Sequence, residues 1–186
     1  MMLKYLPNAF SLTRLLLIAP FLHYLHHAEY AAALYIFLFA GLTDGLDGWL
    51  ARLFNWQTRF GSFIDPVADK LLIASSFISL ALIGQLPWWL VSLVFCRDLT
   101  ISLGVLAWQR FIPQRLDFKP TWLSKINTCL QLTLIIFCLV ELAFGKNSQS
   151  LTYLLIGLTA LTTSATYIDY VWTHAKKAYT SGPVPQ

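Results

Sequence analysis

Apolar runs of helix length alternate with short polar breaks along almost the whole chain. Six of the runs reach about 20 residues, the length that crosses a hydrocarbon core. They predict spans near residues 8–27, 31–53, 61–83, 87–110, 122–144 and 150–172. The first run is not a cleavable signal, because Arg14 and Pro20 interrupt it and it lacks a small-residue cleavage site. The pattern predicts an all-α integral membrane fold of six transmembrane helices. Residues 1–186 read as one membrane domain, with 173–186 as a polar tail.

The polar breaks set an orientation. Lys4 and Arg14 begin the first span, Arg52 and Arg59 fall in the second connection, and Arg110, Arg115, Lys119 and Lys125 surround the fourth. Lys176 and Lys177 lie in the tail, whereas the opposite connections hold only Lys146. The positive-inside rule places both termini and the second connection in the cytoplasm. Trp88, Trp89, Trp108, Trp122 and Trp172 lie near span ends, as interfacial anchors do.

Composition supports the membrane reading. Of 186 residues 57% are hydrophobic and 12% charged, about half the charged share of a soluble domain. The net charge of +4 belongs to the basic face, which suits anionic headgroups and phosphates. Nucleic acid is a poor partner, because no basic-aromatic surface lies outside the spans. Cys96, Cys129 and Cys138 lack metal-ligand spacing and read as small packing residues.

Four aspartates break the apolar pattern. Asp44 and Asp47 end the second span, three apart, and Asp65 and Asp69 open the third, four apart. Both spacings put a pair on one helix face. A carboxylate at a helix centre costs about 2.5–3.5 kcal/mol on insertion scales, and a divalent-metal site supplies a reason to keep four of them. The short basic connection implies that these two helices are antiparallel neighbours facing one cavity. Gly48, Ala51 and Gly61 clear its wall for a bulky ligand, or serve close helix packing. Arg52 is placed to clamp a phosphate or is an ordinary inside-loop arginine.

The run Asp-x-x-Asp-Gly-x-x-Ala-Arg-x(8)-Gly-x-x-x-Asp-x-x-x-Asp resembles the signature of the CDP-alcohol phosphatidyltransferases at every specified position: Asp44, Asp47, Gly48, Ala51, Arg52, Gly61, Asp65 and Asp69. The resemblance implies transfer of a phosphatidyl group from CDP-diacylglycerol to an alcohol with release of CMP, and a homodimer. It implies Mg²⁺ or Mn²⁺ held by Asp44, Asp47 and Asp65, with Asp69 contributing to the metal site and acting as general base. Asn8 and Arg14 are expected to reach the cytidine or phosphate, or to serve as a cap and an anchor.

The acceptor is read from three further stretches. Phosphatidylglycerophosphate synthases typically show Gly-Lys-x-Lys-Thr before the fifth span and Arg-Glu in the preceding helix. Here stand Ser124-Lys125-Ile126-Asn127-Thr128 and Arg97-Asp98, which look like the cardiolipin synthases of the same superfamily. Ala40-Gly41-Leu42-Thr43-Asp44 and Lys119-Pro120-Thr121 share that likeness. Phosphatidylglycerol is therefore the expected acceptor and glycerol-3-phosphate the alternative. Lys125 is expected to bind the acceptor's phosphate. Arg97, mid-span, is expected to face the active site, with Asp98 pointing elsewhere.

Other polar groups read more plainly. His23, His26, His27 and Glu29 form a solvated loop at the far end, and Glu141 and Asp169 reach water near span ends. A small cation transporter also places carboxylates in membrane helices, but no inverted repeat is visible. An inactive scaffold is the third reading, and the intact signature opposes it. The chain starts almost at its first span without an Arg- and Ser-rich presequence, so a bacterial inner membrane is expected, with the active site facing the cytoplasm.

Overall fold

The computed structural model describes residues 6–54, 61–111, 122–145 and 148–180, with side chains over 11–43, 45, 66–104, 122–145 and 148–172. Lys4, Arg59, Arg115, Lys119 and Lys146 lie outside the described residues, as do the side chains of Arg52, Trp108, Arg110, Lys176 and Lys177.

Six helices and no strand occur among the described residues. They are α1 (Leu6–His26), α2 (Tyr30–Phe54), α3 (Gly61–Leu82), α4 (Trp88–Phe111), α5 (Trp122–Phe144) and α6 (Gln149–Thr180). Their ends fall within two residues of the expected spans, except that α6 continues to Thr180 rather than stopping near 172. Within the expected span, the Tyr170 hydroxyl reaches the Ile101 carbonyl and joins α6 to α4. Trp122–Phe144 and Gln149–Trp172 are each long and apolar enough to cross a membrane, with hydropathies of 1.9 and 1.4. Tyr30–Thr43 is a shorter apolar stretch.

Left-handed residues close the hairpins at one end. Ala28 (φ 60°), Gly84 (φ 79°) and Gly145 (φ 62°) follow α1, α3 and α5. After α1 and α3 the next amide reaches back five residues: Glu29 N to Tyr24 O at 2.9 Å, and Gln85 N to Leu80 O at 2.9 Å. These bonds satisfy carbonyls that a helix end leaves open.

The helices form two rings with a common edge. α1 packs on α2 and α3, and α5 packs on the other sides of both, closing α1–α2–α5–α3. α4 packs on α3 and α6, and α6 on α5, closing α3–α4–α6–α5. Among the described residues α2 and α3 do not pack on each other, and the turn expected to make them neighbours, with the side chains beside it, lies outside the described residues. They stand diagonally across the first ring, with α1 against both. This leaves the centre of the ring to side chains rather than to helix contact.

Packing differs between the two ends. Phe21, Phe37, Phe77, Leu80, Leu134, Ile135 and Leu139 are fully or almost fully buried and fill the end near the tight turns. Phe21 and Phe37 meet with ring centroids 5.8 Å apart. Toward the aspartate-bearing end the buried residues turn polar: Arg14, Arg97, Asn127, Gln131, Thr163 and Thr166. The outside is apolar, with Leu16, Phe39, Leu42, Leu103, Leu161 and Ile168 all more than half exposed. Exposed hydroxyls on α4, α5 and α6 return to their own helices, as Thr100 does to Cys96 O and Thr133 to Cys129 O. That removes most of their cost in an apolar setting. Cys138 lies in the core as expected, while Cys96 and Cys129 face outward; all three are free.

Two glycine-based contrasts follow. Ala28 holds a left-handed backbone that costs an L-residue roughly 1–2 kcal/mol, so Ala28→Gly is expected to raise the thermal midpoint of the purified protein. A Cβ on Gly104 would stand 1.9 Å from the Tyr170 hydroxyl oxygen, whereas one on Gly157 would meet nothing within 4 Å. Gly104→Ala should therefore lose roughly 1–2 kcal/mol through overpacking, and Gly157→Ala should be neutral or gain up to about 1 kcal/mol. Thermal unfolding in detergent compares them.

Candidate active site

The α2 backbone is helical through Phe54 and the α3 backbone from Gly61, so each aspartate pair keeps the one-face spacing expected of it. The side chains of Asp44, Asp47, Gly48, Ala51, Arg52, Gly61 and Asp65 lie outside the described side chains, as does that of Asn8. Asp69 is described, and it anchors the geometry.

Arg14 on α1 donates from Nη1 to the Asp69 carboxylate on α3. Both residues lie roughly two turns into their helices, so the pair links α1 and α3 at one depth. The Arg14 side chain is wholly buried, while that of Asp69 remains 41% exposed. Asp69 thus has a charged anchor and a partly exposed carboxylate. The sequence reading sends Arg14 toward cytidine or phosphate, and the structure joins it to Asp69. No local spacing links residues 55 positions apart, so sequence alone had no means of finding this contact.

Arg97 corrects another expectation. Its Nη1 meets the carboxylate of adjacent Asp98 at 2.7 Å, although helix neighbours diverge at Cβ. The arginine stem is long enough to carry the guanidinium back to the neighbouring head group. Its Nη2 donates to Ser124 Oγ on α5, also at 2.7 Å. Arg97 is buried, and this ion pair and hydrogen bond tie α4 to α5. Lys125 is exposed, with its ammonium 5.3 Å from the Trp122 ring centroid. Asn127 turns inward instead, and its Oδ1 accepts from Thr162 (2.9 Å) and Thr163 (2.8 Å) on α6.

One residue beyond Asp69, Lys70 donates to Ser102 on α4. The sequence reading passed over Lys70. A cation beside a signature aspartate, inside an apolar run, was the signal available.

The far end is polar for other reasons. Glu141 is buried rather than reaching water, and accepts from the Ser148 amide and from Thr152 Oγ1 (2.7 Å), capping the start of α6. It borders a cavity of about 650 Å³ between the α3–α4 and α5–α6 turns, at the opposite end of α3 from Asp69. His26 and His27 are exposed, and each ring Nδ1 contacts a carbonyl one turn back. Asp169 is exposed, as expected.

Replacing Arg14 tests the anchor. Breaking a buried ion pair costs about 3–5 kcal/mol, and the water access of Asp69 should reduce that. Arg14→Met is expected to lower the thermal midpoint and cut phosphatidyl transfer by about ten-fold or more. Arg14→Lys should recover part of both.

Comparison with known proteins shows the family. The family model of CDP-alcohol phosphatidyltransferases matches residues 4–168. A probable phosphatidylglycerophosphate synthase of Mycobacterium tuberculosis is 34% identical over 172 residues, which cover 89% of this chain and 79% of the relative. The cardiolipin synthase (CMP-forming) of Homo sapiens is 35% identical over 183 residues, 89% of this chain and 60% of that longer protein. A CDP-diacylglycerol–glycerol-3-phosphate 3-phosphatidyltransferase of Salmonella choleraesuis is 34% identical over 143 residues, 72% of this chain and 76% of the relative. Nearly equal identity to proteins of both names leaves the acceptor to the chemistry of the site. The chain belongs to the membrane-associated CDP-alcohol phosphatidyltransferase family and is a phosphatidyltransferase of phospholipid synthesis.

Proposed function

We propose that the chain transfers the phosphatidyl group of CDP-diacylglycerol to phosphatidylglycerol, forming cardiolipin and CMP in a membrane that all six helices cross. The apolar exterior supports the six spans, and the basic breaks support an active site facing the cytoplasm.

The observation that carries the mechanism is Asp69, held by Arg14 with its side chain still 41% exposed. Its carboxylate takes the proton of the acceptor hydroxyl. The hydroxyl oxygen then bonds to the lipid-linked phosphorus. The bond from that phosphorus to the bridging oxygen breaks, and CMP leaves with the electron pair. The family resemblance assigns the cytidine diphosphate to Asn8 and Arg52, with Gly48, Ala51 and Gly61 as the small residues that leave room for it. Asp44, Asp47, Asp65 and Asp69 are hard oxygen donors that fit Mg²⁺ or Mn²⁺, which when bound would offset charge on the diphosphate. The partial exposure of the Asp69 carboxylate is compatible with that role.

Charge in the second ring favours the lipid acceptor. Arg97 is balanced by Asp98, and Lys125 leans over Trp122 at the rim. Among the described side chains that leaves Lys70 and Lys125 as the cations without a carboxylate, and a phosphodiester, with its single charge, asks less of them than a phosphomonoester dianion. Glycerol-3-phosphate is the second reading, favoured by the likeness to the Mycobacterium and Salmonella relatives.

The test offers labelled CDP-diacylglycerol and a divalent metal to the purified chain in micelles, with each acceptor in turn. Cardiolipin with phosphatidylglycerol alone is the expected product. Phosphatidylglycerophosphate with glycerol-3-phosphate alone would keep the mechanism and reverse the acceptor. Asp69→Asn should lower turnover by about 100-fold or more while largely sparing nucleotide binding, and a near-normal rate would remove Asp69 from its role as base.

A further inference from the structure

α3 is the edge shared by both rings, and consecutive residues on it serve different rings. Asp69 meets Arg14 on α1. Lys70, turned by about 100°, meets Ser102 on α4. Ser102 Oγ donates to the Asp98 carbonyl at 2.7 Å. The Asp98 carboxylate holds Arg97, and Arg97 reaches Ser124 on α5. Lys70, Ser102, Asp98, Arg97 and Ser124 therefore form one polar track across three helices.

The charges on this track do not cancel. Lys70 and Arg97 are cations and Asp98 is an anion, which leaves one net positive charge. Among the described residues, Lys70 is hydrogen-bonded to a neutral hydroxyl and paired with no carboxylate. Lys70 is exposed, and a hydroxyl supplies a dipole but no counter-charge, so its ammonium remains accessible to an anion. Arg97 adds a buried Nε–H that has no partner among the described residues. Both features suit an anionic ligand at the α3–α4 seam.

We propose that Lys70 binds the phosphate of the acceptor, with its ammonium leaving Ser102 for the phosphate oxygens and Arg97 flanking the same seat. The inference rests on the reading above that the acceptor is an alcohol carrying a phosphate. A glycerol unit sets the free hydroxyl roughly 5 Å from that phosphate, and a hydrogen bond of about 2.8 Å at each end adds to that reach. One acceptor can therefore bridge the head groups of Lys70 and Asp69, which diverge by about 100° from adjacent positions on α3. The net charge of +1 matches a phosphodiester monoanion, and the phosphate is the chemistry shared with the phosphomonoester.

Steady-state kinetics on the full chain in micelles test this, with phosphatidylglycerol and glycerol-3-phosphate as separate acceptors and thermal midpoints recorded for each variant. Lys70→Met is expected to raise the acceptor KM by about ten-fold or more, as loss of a charge-assisted hydrogen bond does. The KM for CDP-diacylglycerol should stay within about two-fold. Lys70→Arg should restore most of the acceptor affinity. Ser102→Ala removes the resting partner of Lys70 and should leave the acceptor KM within about two-fold. An effect with phosphatidylglycerol assigns the seat to a phosphodiester, and one with glycerol-3-phosphate assigns it to a phosphomonoester.

An unchanged acceptor KM in folded Lys70→Met overturns the proposal. So does a Ser102→Ala enzyme impaired in the same way, because the contact would then be a structural tie. If Lys70→Met does not fold, Lys70→Gln is read by the same criteria, and failure of both to fold makes Lys70 structural. A wild-type chain that releases CMP only with a phosphate-free alcohol, or with none, overturns the acceptor reading itself. A wild type that uses phosphate acceptors but is indifferent to Lys70 overturns only the role of Lys70.

Discussion

An ionic group inside an apolar bundle must meet an opposite charge, a ligand or water, and that requirement organises the aspartate-bearing end of this protein. Arg14 and Asp69 satisfy it together across α1 and α3. Because Arg14 is completely buried, α1 cannot move away from α3 without exposing a charge to an apolar environment. The contact therefore does two jobs, holding three helices of the first ring in place through α1 and fixing the direction of the Asp69 carboxylate. Chemistry that depends on one carboxylate gains from such an anchor, since a misdirected base loses most of its effect.

The division between polar and apolar packing follows from the same requirement. Near the tight turns, Phe21, Phe37, Leu80 and Leu139 close the bundle with apolar contact. Near the aspartates, buried Arg97, Asn127, Gln131 and Thr163 replace them, and hydrogen bonds between α4, α5 and α6 take over part of the packing. Such packing is less tolerant of voids but can open toward polar ligands. A phosphatidyltransferase must admit charged headgroups beside lipid chains, and a bundle tight at one end and polar at the other is suited to that task. The 650 Å³ cavity beside Glu141 lies at the tight end, where the carboxylate is occupied with capping α6.

Much of the helical framework was legible in the primary structure. Apolar runs bounded by Gly, Pro and charged residues marked five of the helices to within two residues at both ends, because helix length follows directly from local composition. The exception is the end of α6, where the helix continues past the apolar run that ends near Trp172, to Thr180. The family was equally legible, because the spacing of eight signature residues is a property of the chain alone. Glu141 was misread as reaching water because the turn that brings Ser148 and Thr152 over it is visible only in three dimensions.

The order of residues alone thus determined the helices and the family chemistry, since periodicity and motif spacing operate over a few turns of one segment. Only the tertiary structure decided which helices touch and which charges meet. Among the described residues it set α2 and α3 diagonally across the first ring, turned Arg14 to Asp69, returned Arg97 to Asp98, and brought Lys70 to Ser102. Each of these depends on helix rotation and ring order. In a bundle those are settled by the joint packing of all six helices and by the need to neutralise buried charge, and no single segment carries that information.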